Sequence, residues 1–461
     1  AEQMDEAYAD SREKNPPSLR GLTFVPHLVR TYPERDLASN ILGFVSQEGK
    51  GYFGVESQYN ELLAGKTRTV WIPSDPNRVT ELPEVPDGAG LVLTIDREVQ
   101  HAMEGVLDRA LITSGAESGT IVVLNPKTGE VLAMATTPRL NLNEYYRYGE
   151  IFTKDTPFNR AVSQAYEPGS VYKILTMAIA YELGVVNSET VFLDTGAFEY
   201  GGAVVINWNG GAWGPQDMQG CMQHSLNVCL AWVSTQIGVK DFYNYMSAFG
   251  IGRSSGIDLA GENYGRLKVP GDGDWYDADL VTNSFGQGVS ATPLQMASAA
   301  AALANDGKLM TPRVVRSLVI DGYQHDFENQ VVRQPIRAET ARTITELLAH
   351  SLENESSDAL VTGYRVAGKT GTAEIPSVHG YNSSQTNASF VGWGPADDPQ
   401  FLVYVWLERP QSSMWGSVVA APVFREAVEE LVIYMNLPPD EIRSQLAQGA
   451  AASAVGGGGS Q

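Results

Sequence analysis

The sequence has few of the residues that bind metals or build disulfide frameworks. Among 461 residues there are only two cysteines, Cys221 and Cys229, and six histidines. The histidines show no metal-ligand spacing, so we expect no metal site. On one straight helix with a rise of ~1.5 Å per residue, the cysteines would lie about 12 Å apart, too far for a disulfide. We therefore predict two reduced, structural cysteines.

Basic residues and long apolar runs are also scarce. The chain has 32 Lys and Arg against 54 Asp and Glu, a formal net charge of −22. Nucleic-acid binding depends on Lys and Arg contacts to phosphate, so we expect no nucleic-acid partner. No apolar run reaches the ~20 residues of a membrane-spanning helix. A hydrophobic content of 43% is that of an ordinary globular protein.

Proline and glycine residues divide the chain into three parts. A proline-rich stretch over 72–89 is typical of a linker. A glycine run, Gly456–Gly459, follows an alanine-rich segment near the C-terminal end. We therefore predict a small N-terminal domain with its linker over 1–88, a larger domain over 89–441 and a flexible tail over 442–461.

The larger domain has predicted strands near both of its ends and helices between them. Strands are predicted at 91–95, 120–124, 130–134, 388–393 and 401–407, and a helix at 421–435. The middle, 170–310, is alanine-rich and predominantly helical. This order predicts an α+β fold in which one sheet joins distant parts of the chain.

A serine and a lysine three residues apart are the first candidates for chemistry. Ser170 follows a proline-glycine turn, and Lys173 begins an apolar run. Residues i and i+3 share a helical face, so the amine lies one turn beyond the hydroxyl. A serine nucleophile needs an adjacent base, and burial lowers the pKa of a lysine so that it can serve as one. A second such pair, Ser11 and Lys14, lies in a charged segment, and we interpret it as surface.

Two further motifs are compatible with the same chemistry. Ser225-Leu226-Asn227 offers a hydroxyl that can relay a proton and an amide that can bind a peptide, although Ser and Asn are also common helix caps. Lys369-Thr370-Gly371-Thr372 offers an ammonium, hydroxyls and close backbone N–H groups, which suit a substrate carboxylate and an oxyanion. An earlier run, Lys127-Thr128-Gly129, is explained by a hairpin turn.

A phosphate-binding loop is the main competing interpretation of the third motif. Residues 363–370 satisfy the pattern G-x-x-x-x-G-K-[ST]. Such a loop requires a helix directly after the lysine, whereas Gly371 follows at once and Pro376 would interrupt a helix. We therefore disfavour nucleotide binding.

The ordered set Ser-x-x-Lys, Ser-x-Asn, Lys-Thr-Gly resembles that of β-lactamases and penicillin-binding proteins. Within this group the chain resembles the class B penicillin-binding proteins, most closely the division-type transpeptidases, from about Arg30 to Pro439. The resemblance also rests on other segments: Arg30–Pro33, Gly51–Glu56, Leu93–Asp96, Lys127–Met134, Asn159–Val162, Ser284–Gly288, Thr292–Gln295, Ala388–Gly392 and Ala421–Phe424.

The resemblance implies a penicillin-binding transpeptidase fold, with an antiparallel sheet flanked by helices, a helical subdomain and a smaller pedestal domain. The family's membrane helix and early Arg-Gly-x-Ile-x-Asp-Arg segment are not found in this sequence, so we expect a partial pedestal. The resemblance implies cross-linking of peptidoglycan stem peptides that end in D-Ala-D-Ala, inhibition by β-lactams and no cofactor. It also implies the extracytoplasmic face of the bacterial cytoplasmic membrane, with a membrane glycosyltransferase and divisome or elongasome proteins as partners.

The resemblance assigns catalytic roles to five motif residues. Ser170 is expected to attack the penultimate carbonyl with Lys173 as its base. Ser225 is expected to relay the proton to the leaving D-alanine, and Asn227 to hold the peptide amide. Lys369, in the third motif, completes the catalytic set.

The third motif is expected to bind the substrate. Lys369, Thr370 and Thr372 would hold the terminal carboxylate, Gly371 would let the peptide approach, and the backbone N–H groups of Ser170 and Thr372 would hold the oxyanion. Two alternatives remain: a β-lactamase or β-lactam sensor with the same acylation residues, and a scaffold role in wall synthesis.

Overall fold

A computed structural model describes residues 29–65, 87–377 and 380–456 of the chain. Within these ranges no helix is both long and apolar enough to cross a membrane. The polar N-terminal segment and most of the proline-rich linker lie outside the described residues.

The described chain contains both strands and helices. The strands are β1 (Phe44–Val45), β2 (Gly51–Tyr52), β3 (Gly90–Leu93), β4 (Ser118–Leu124), β5 (Val131–Thr136), β6 (Val191–Asp194), β7 (Ala197–Tyr200), β8 (Ala203–Ile206), β9 (Gly214–Asp217), β10 (Leu309–Met310), β11 (Val315–Ile320), β12 (Tyr323–Asp326), β13 (Val331–Arg333), β14 (Ala367–Ser377), β15 (Gly380–Gly394) and β16 (Phe401–Glu408). The helices are α1 (Ser39–Leu42), α2 (Gly54–Gln58), α3 (Asn60–Leu63), α4 (Arg97–Ser114), α5 (Tyr148–Ile151), α6 (Arg160–Ser163), α7 (Lys173–Leu183), α8 (Met218–Gln223), α9 (Asn227–Ile237), α10 (Val239–Ala248), α11 (Asp277–Asn283), α12 (Pro293–Leu303), α13 (Ala338–Asn354), α14 (Gly416–Val419), α15 (Ala421–Tyr434) and α16 (Asp440–Gly456).

The central sheet joins the two ends of the larger domain. Its spatial order is β14-β15-β16-β4-β5, and every neighbouring pair is antiparallel. Strands from 118–136 therefore pair with strands from 367–408, as the sequence predicts. This sheet confirms the α+β fold and leaves β14 at one edge.

Both faces of the sheet are covered, which explains the continuous apolar run in β16. Alternate residues of a strand point to opposite faces. Leu402, Tyr404 and Trp406 belong to the core shared with the helical part of the domain. Val403 and Val405 belong to a second core, which also contains residues of α4 and α15. The sequence of a strand that is buried on both faces is continuously hydrophobic, whereas a half-exposed strand alternates between apolar and polar residues.

An aromatic cluster ties the N-terminal residues to the larger domain. Phe44 stacks on Tyr145 with ring centroids 5.2 Å apart, and Phe53 stacks on Phe158 at 4.3 Å. Near this cluster the backbone N–H of Ala38 donates to a carboxylate oxygen of Glu104 at 2.9 Å. The N-terminal residues thus pack directly against the larger domain.

The prediction of two reduced cysteines is wrong, because Cys221 and Cys229 form a disulfide with their Cα atoms 6.0 Å apart. The prediction assumed one straight helix, whereas Cys221 lies in α8 and Cys229 in α9. Between the helices the chain turns at Ser225, whose φ is +53°. This turn brings the sulfur atoms together and encloses the Ser-x-Asn motif within the disulfide loop.

Replacing both cysteines by serine is expected to lower the stability of the protein. The bridge spans a sequence separation of 8, and closing a loop of this length contributes roughly 2–3 kcal/mol in the chain-entropy account. Guanidinium unfolding of the oxidised protein and of Cys221→Ser/Cys229→Ser measures the effect, and the reduced wild type is the control. Equal midpoints for all three would contradict the expectation.

Candidate active site

Ser170 lies in a 3₁₀ turn, Gly169–Tyr172, that leads directly into α7. Gly169 has a φ of +60°, and a Cβ at this position would lie 2.8 Å from the carbonyl oxygen of Thr372. The backbone N–H of Gly169 donates to the carbonyl of Gly286 at 3.1 Å. The serine turn is therefore held between β14 and the segment that contains Gly286.

The amine of Lys173 is fully buried and surrounded by acceptors. Lys173 has no exposed surface. Its Nζ lies 2.6 Å from the Ser225 carbonyl oxygen and 2.7 Å from the Asn227 side-chain oxygen, which accept its hydrogens, and 3.2 Å from the Ser225 hydroxyl, which can donate to the lone pair of a neutral amine. The first two motifs, 55 residues apart in the sequence, are thereby joined through one nitrogen atom.

Burial places the pKa of Lys173 well below its ordinary value, and the positive charge of Lys369 lowers this pKa further. Both effects favour the neutral amine, because each makes the ammonium form less stable. An uncharged amine one helical turn from Ser170 is able to accept the hydroxyl proton.

Both the oxygen and the nitrogen of the Asn227 side-chain amide form hydrogen bonds. Its oxygen accepts from Lys173, and its Nδ2 donates to the carbonyl of Ile206 at 3.1 Å. Ile206 ends β8, so this amide connects the buried amine to a strand on the cavity wall. The sequence predicts a peptide contact for Asn227 but gives no sign of this orienting role.

Lys369 lies on β14 and is 5% exposed. Its ammonium donates to the carbonyl and to the hydroxyl of Thr370, both at 3.3 Å. Burial lowers the pKa of Lys369 to about 8, and the charge of Glu355 opposes this decrease. β14 continues to Ser377 without a helix, which removes the structural basis for a phosphate-binding loop.

Of the remaining residues of the third motif, the two threonines face the cavity and the glycine does not. Thr370 and Thr372 line the same cavity as Ser170, and the Thr372 hydroxyl accepts from the Gly416 N–H at 3.0 Å. Gly371 is outside the lining, and a Cβ there would lie 2.9 Å from Val171. The glycine therefore allows β14 to approach the serine turn, rather than facing the cavity.

A cavity of about 650 Å³ brings most of the predicted site together. Ser170, Ser225, Asn227, Lys369, Thr370 and Thr372 line it. Lys173 lies behind this lining, where it contacts Ser225 and Asn227. A volume of this size is typical of pockets that bind small molecules or short peptides.

Sequence reasoning missed further side chains in the cavity wall, among them Trp208, His224, Glu355 and Trp415. Trp208 and Trp415 meet edge to face with ring centroids 5.4 Å apart. Trp208 lies in a polar Asn-Trp-Asn-Gly loop. A tryptophan in such a loop could have marked this residue as a candidate site residue. No motif in the sequence marks Glu355.

Residues of all three motifs meet around one cavity, beside an antiparallel sheet flanked by helices. The sequence model described as "Penicillin binding protein transpeptidase domain" matches residues 119–429, and the chain belongs to this family. The resemblance to class B penicillin-binding proteins is thereby confirmed.

Relatives and solved structures support the assignment over most of the chain. The chain is 32% identical to stage V sporulation protein D of Bacillus subtilis over 91% of its own length and 66% of that protein. It is 33% identical to penicillin-binding protein PbpB of Mycolicibacterium smegmatis, over 89% of the chain and 65% of the relative. The chain thus spans slightly less than two thirds of these relatives.

A crystal structure of penicillin-binding protein 3 from Mycobacterium tuberculosis in its apo form has the same fold. The TM-score is 0.80 at 29% identity, and the match covers 89% of this chain and 92% of that one.

Proposed function

We propose that this protein is a peptidoglycan D,D-transpeptidase that works through a serine acyl-enzyme. The observation that carries the proposal is the buried amine of Lys173, one helical turn from Ser170 and bonded to Ser225 and Asn227. The "Probable peptidoglycan D,D-transpeptidase PbpC" of Pseudomonas aeruginosa supports it, at 30% identity over 92% of the chain and 74% of that protein.

Acylation begins when the neutral amine of Lys173 takes the proton of the Ser170 hydroxyl. The hydroxyl oxygen then attacks the carbonyl carbon of the penultimate D-alanine. Backbone N–H groups of Ser170 and Thr372 stabilise the oxyanion of the tetrahedral intermediate. The peptide C–N bond breaks, and the proton reaches the leaving D-alanine nitrogen from Lys173 through the Ser225 hydroxyl, which lies 3.2 Å from that amine.

The second half of the reaction transfers the acyl group to an amine of another stem peptide. Lys173, neutral again, accepts a proton from this amine as its nitrogen attacks the ester carbon. The ester C–O bond breaks, Ser170 regains its proton, and a new peptide bond forms the cross-link. The steps leave the enzyme unchanged.

The substrate is placed by the edge of the sheet. β14 is an edge strand of the central sheet, and an extended peptide can pair with the free backbone groups of such an edge. The ammonium of Lys369 and the hydroxyl of Thr370, which are 3.3 Å apart, form the carboxylate site together with Thr372. We propose that Gly371 contributes to this motif by allowing β14 to approach the serine turn.

β-Lactams are proposed to acylate Ser170 as substrate mimics. Penicillin-binding protein 3 of Mycobacterium tuberculosis has been solved in complex with aztreonam and with ampicillin, and each of these structures is 29% identical to this chain. The carboxylate of a penicillin would occupy the place of the terminal D-alanine carboxylate beside Lys369.

We further propose an extracytoplasmic location at the bacterial membrane, with a membrane glycosyltransferase and divisome or elongasome proteins as partners. Residues 1–88 would form a pedestal domain with its linker, 89–441 the transpeptidase domain, and 442–461 a tail that includes most of α16. These proposals rest on the family and on the aromatic contacts between the N-terminal residues and the larger domain.

The rate of acylation by a penicillin is expected to fall at both low pH and high pH. On the acid side the rate falls as Lys173 becomes protonated, at a pH far below the ordinary pKa of a lysine. On the alkaline side it falls as Lys369 loses its charge, near a pKa of about 8. Stopped-flow rates across this range measure the profile. A rate that rises steadily through pH 9 would contradict the role of Lys369.

The proposed function is tested with a donor peptide ending in D-Ala-D-Ala and an amine acceptor. Mass spectrometry is expected to show release of D-alanine and a donor–acceptor product, neither of which Ser170→Ala makes. Rapid hydrolysis of penicillin without a cross-linked product would favour the β-lactamase or sensor alternative. Growth supported by Ser170→Ala in cells would favour the scaffold role.

A further inference from the structure

Two titratable side chains of the cavity wall, His224 and Glu355, lie side by side and have no role in the mechanism above. Both line the cavity that contains Ser170 and Ser225. One carboxylate oxygen of Glu355 lies 3.8 Å from Nδ1 of His224, and the side chains of the histidine and the glutamate are 28% and 43% exposed. This distance allows an ion pair once the imidazole carries a proton.

Contacts on several sides fix His224 in the cavity wall. Its ring stacks on Trp213, with centroids 4.2 Å apart and an interplanar angle of 18°. Its backbone N–H donates to the carbonyl of Gly220 at 2.9 Å, and its carbonyl accepts from the indole N–H of Trp208 at 3.1 Å. The next residue is Ser225, so the imidazole lies on the same stretch of wall as the proposed proton relay.

A contact between the ends of α13 and α8 places Glu355 next to this ring. Glu355 directly follows Asn354, the last residue of α13, and His224 directly follows Gln223, the last residue of α8. The side-chain nitrogen of Asn354 donates to the side-chain oxygen of Gln223 at 3.3 Å. The carboxylate and the imidazole are thus carried by two helix ends that are joined to each other.

The second half of the reaction needs a group that receives the incoming amine. An alkyl amine has a pKa of about 10, so it reaches the cavity as an ammonium ion that must lose a proton before its nitrogen can attack. This nitrogen enters where the D-alanine nitrogen left, beside Ser225, because at that atom the transfer is the reverse of acylation. Lys173 takes the proton that is lost during attack, and the first proton of the ammonium requires another acceptor.

Only one carboxylate of the cavity wall has a base beside it. Among the described residues that line the cavity, the ionisable side chains are those of Lys369, Glu374, His224 and Glu355. Lys369 is a cation, and Glu374 lies two residues beyond Thr372 on the strand that the donor peptide pairs with. Burial lowers the pKa of His224, which favours its neutral, proton-accepting form. The pair of His224 and Glu355 therefore has the chemistry that a cationic amine requires.

We propose that Glu355 and His224 form the acceptor subsite: the carboxylate binds the incoming ammonium, and the imidazole takes its first proton. An N–H bond of the ammonium breaks, the neutral amine attacks the ester, and the imidazolium pairs with Glu355 until it gives the proton to water. Lys173 accepts the second proton and returns it to Ser170. The inference rests on the proposed function and adds to it the acceptor's binding site and charge.

The test measures how one acyl-enzyme divides between an added acceptor and water. The wild type, Glu355→Gln, Glu355→Asp and His224→Gln react with the donor peptide near pH 7. The acceptor is either a stem peptide with a free side-chain amine or hydroxylamine, which is uncharged at this pH and has no first proton to lose. Mass spectrometry gives the ratio of transfer to hydrolysis, which does not depend on the rate of acylation.

Glu353→Gln is the matched control, because Glu353 lies in the last turn of α13 and pairs with Arg365 at 2.8 Å. Thermal melts establish that each variant is folded. If one of the glutamine variants at Glu355 and His224 does not fold, the other carries the same test.

Glu355→Gln and His224→Gln are expected to lower the ratio for the stem-peptide amine roughly 10- to 100-fold, near the lower end of the contribution of a positioned base. The ratio for hydroxylamine should change much less. Glu355→Asp should recover most of the wild-type ratio, and Glu353→Gln should equal the wild type. The loss should shrink as the pH approaches about 10, where the amine is already neutral.

A wild-type ratio in a folded glutamine variant, or an equal loss with the amine and with hydroxylamine, would overturn the inference and leave the proposed function intact. A wild type that forms no product with the stem-peptide amine would overturn the proposed transpeptidation, and this inference with it.

Discussion

Replacing Lys173 with methionine is expected to slow acylation of Ser170 by penicillin roughly 10²- to 10⁴-fold, the usual contribution of a positioned general base. Methionine is unbranched and suits a buried space of similar length. The amine that receives the hydroxyl proton is lost, while the serine turn and the cavity are retained. Stopped-flow acylation at a pH near 7.5 measures the rate.

Lys240→Met provides the control for this substitution, because Lys240 is an exposed residue of α10 in the same domain. It should acylate at the wild-type rate. The buried acceptors of Ser225 and Asn227 lose their donor in Lys173→Met, so a lower melting temperature is expected as well. A folded Lys173→Met protein that acylates within a few-fold of the wild type would rule out Lys173 as the base.

Gly286→Ala is expected to reduce acylation by about 10²-fold, because displacement of reacting groups by as little as 1 Å has effects of this size. Gly286 has a φ of +82°, and a Cβ there would lie 2.6 Å from the backbone nitrogen of Gly169. The serine turn must move to admit the methyl group. Positive φ and backbone overlap together should lower the free energy of unfolding by roughly 2–5 kcal/mol.

Gly322→Ala separates these two effects. Gly322 has a φ of +81° in the β11–β12 hairpin, and nothing lies within 4 Å of a Cβ built there. The control should lose only the roughly 1–2 kcal/mol of a strained backbone and should acylate normally. Equal acylation rates in Gly286→Ala and Gly322→Ala would show that the serine turn does not depend on its contact with Gly286.

The elements that place the site were predictable because local chemistry marks them. Asn125–Gly129 forms the predicted turn between β4 and β5, where Asn125 accepts from the N–H of Lys127 at 2.9 Å. The apolar run in β16 and the proline at the start of α15 were likewise visible in the sequence. Ser170 and Lys173 were found because both lie where a proline-glycine turn leads into a helix. A spacing of three residues places two side chains on the same face of a helix, so the pair was recognisable from the sequence.

The parts that were missed depend on contacts between distant segments. The disulfide requires the turn at Ser225, whose positive φ is uncommon for serine. Glu355 reaches the cavity only because α13 packs on α8, more than 120 residues earlier in the sequence. The engagement of Asn227 depends on β8. Periodicity and turn chemistry describe local structure, so they carry no information on these pairings.

The most direct test of the account is intact-mass analysis after incubation with penicillin, followed by peptide mapping. The account predicts one stable adduct, located on Ser170, and no adduct on Ser170→Ala. An unmodified wild-type protein, or an adduct on another residue that persists in Ser170→Ala, would contradict the assignment of Ser170 as the nucleophile.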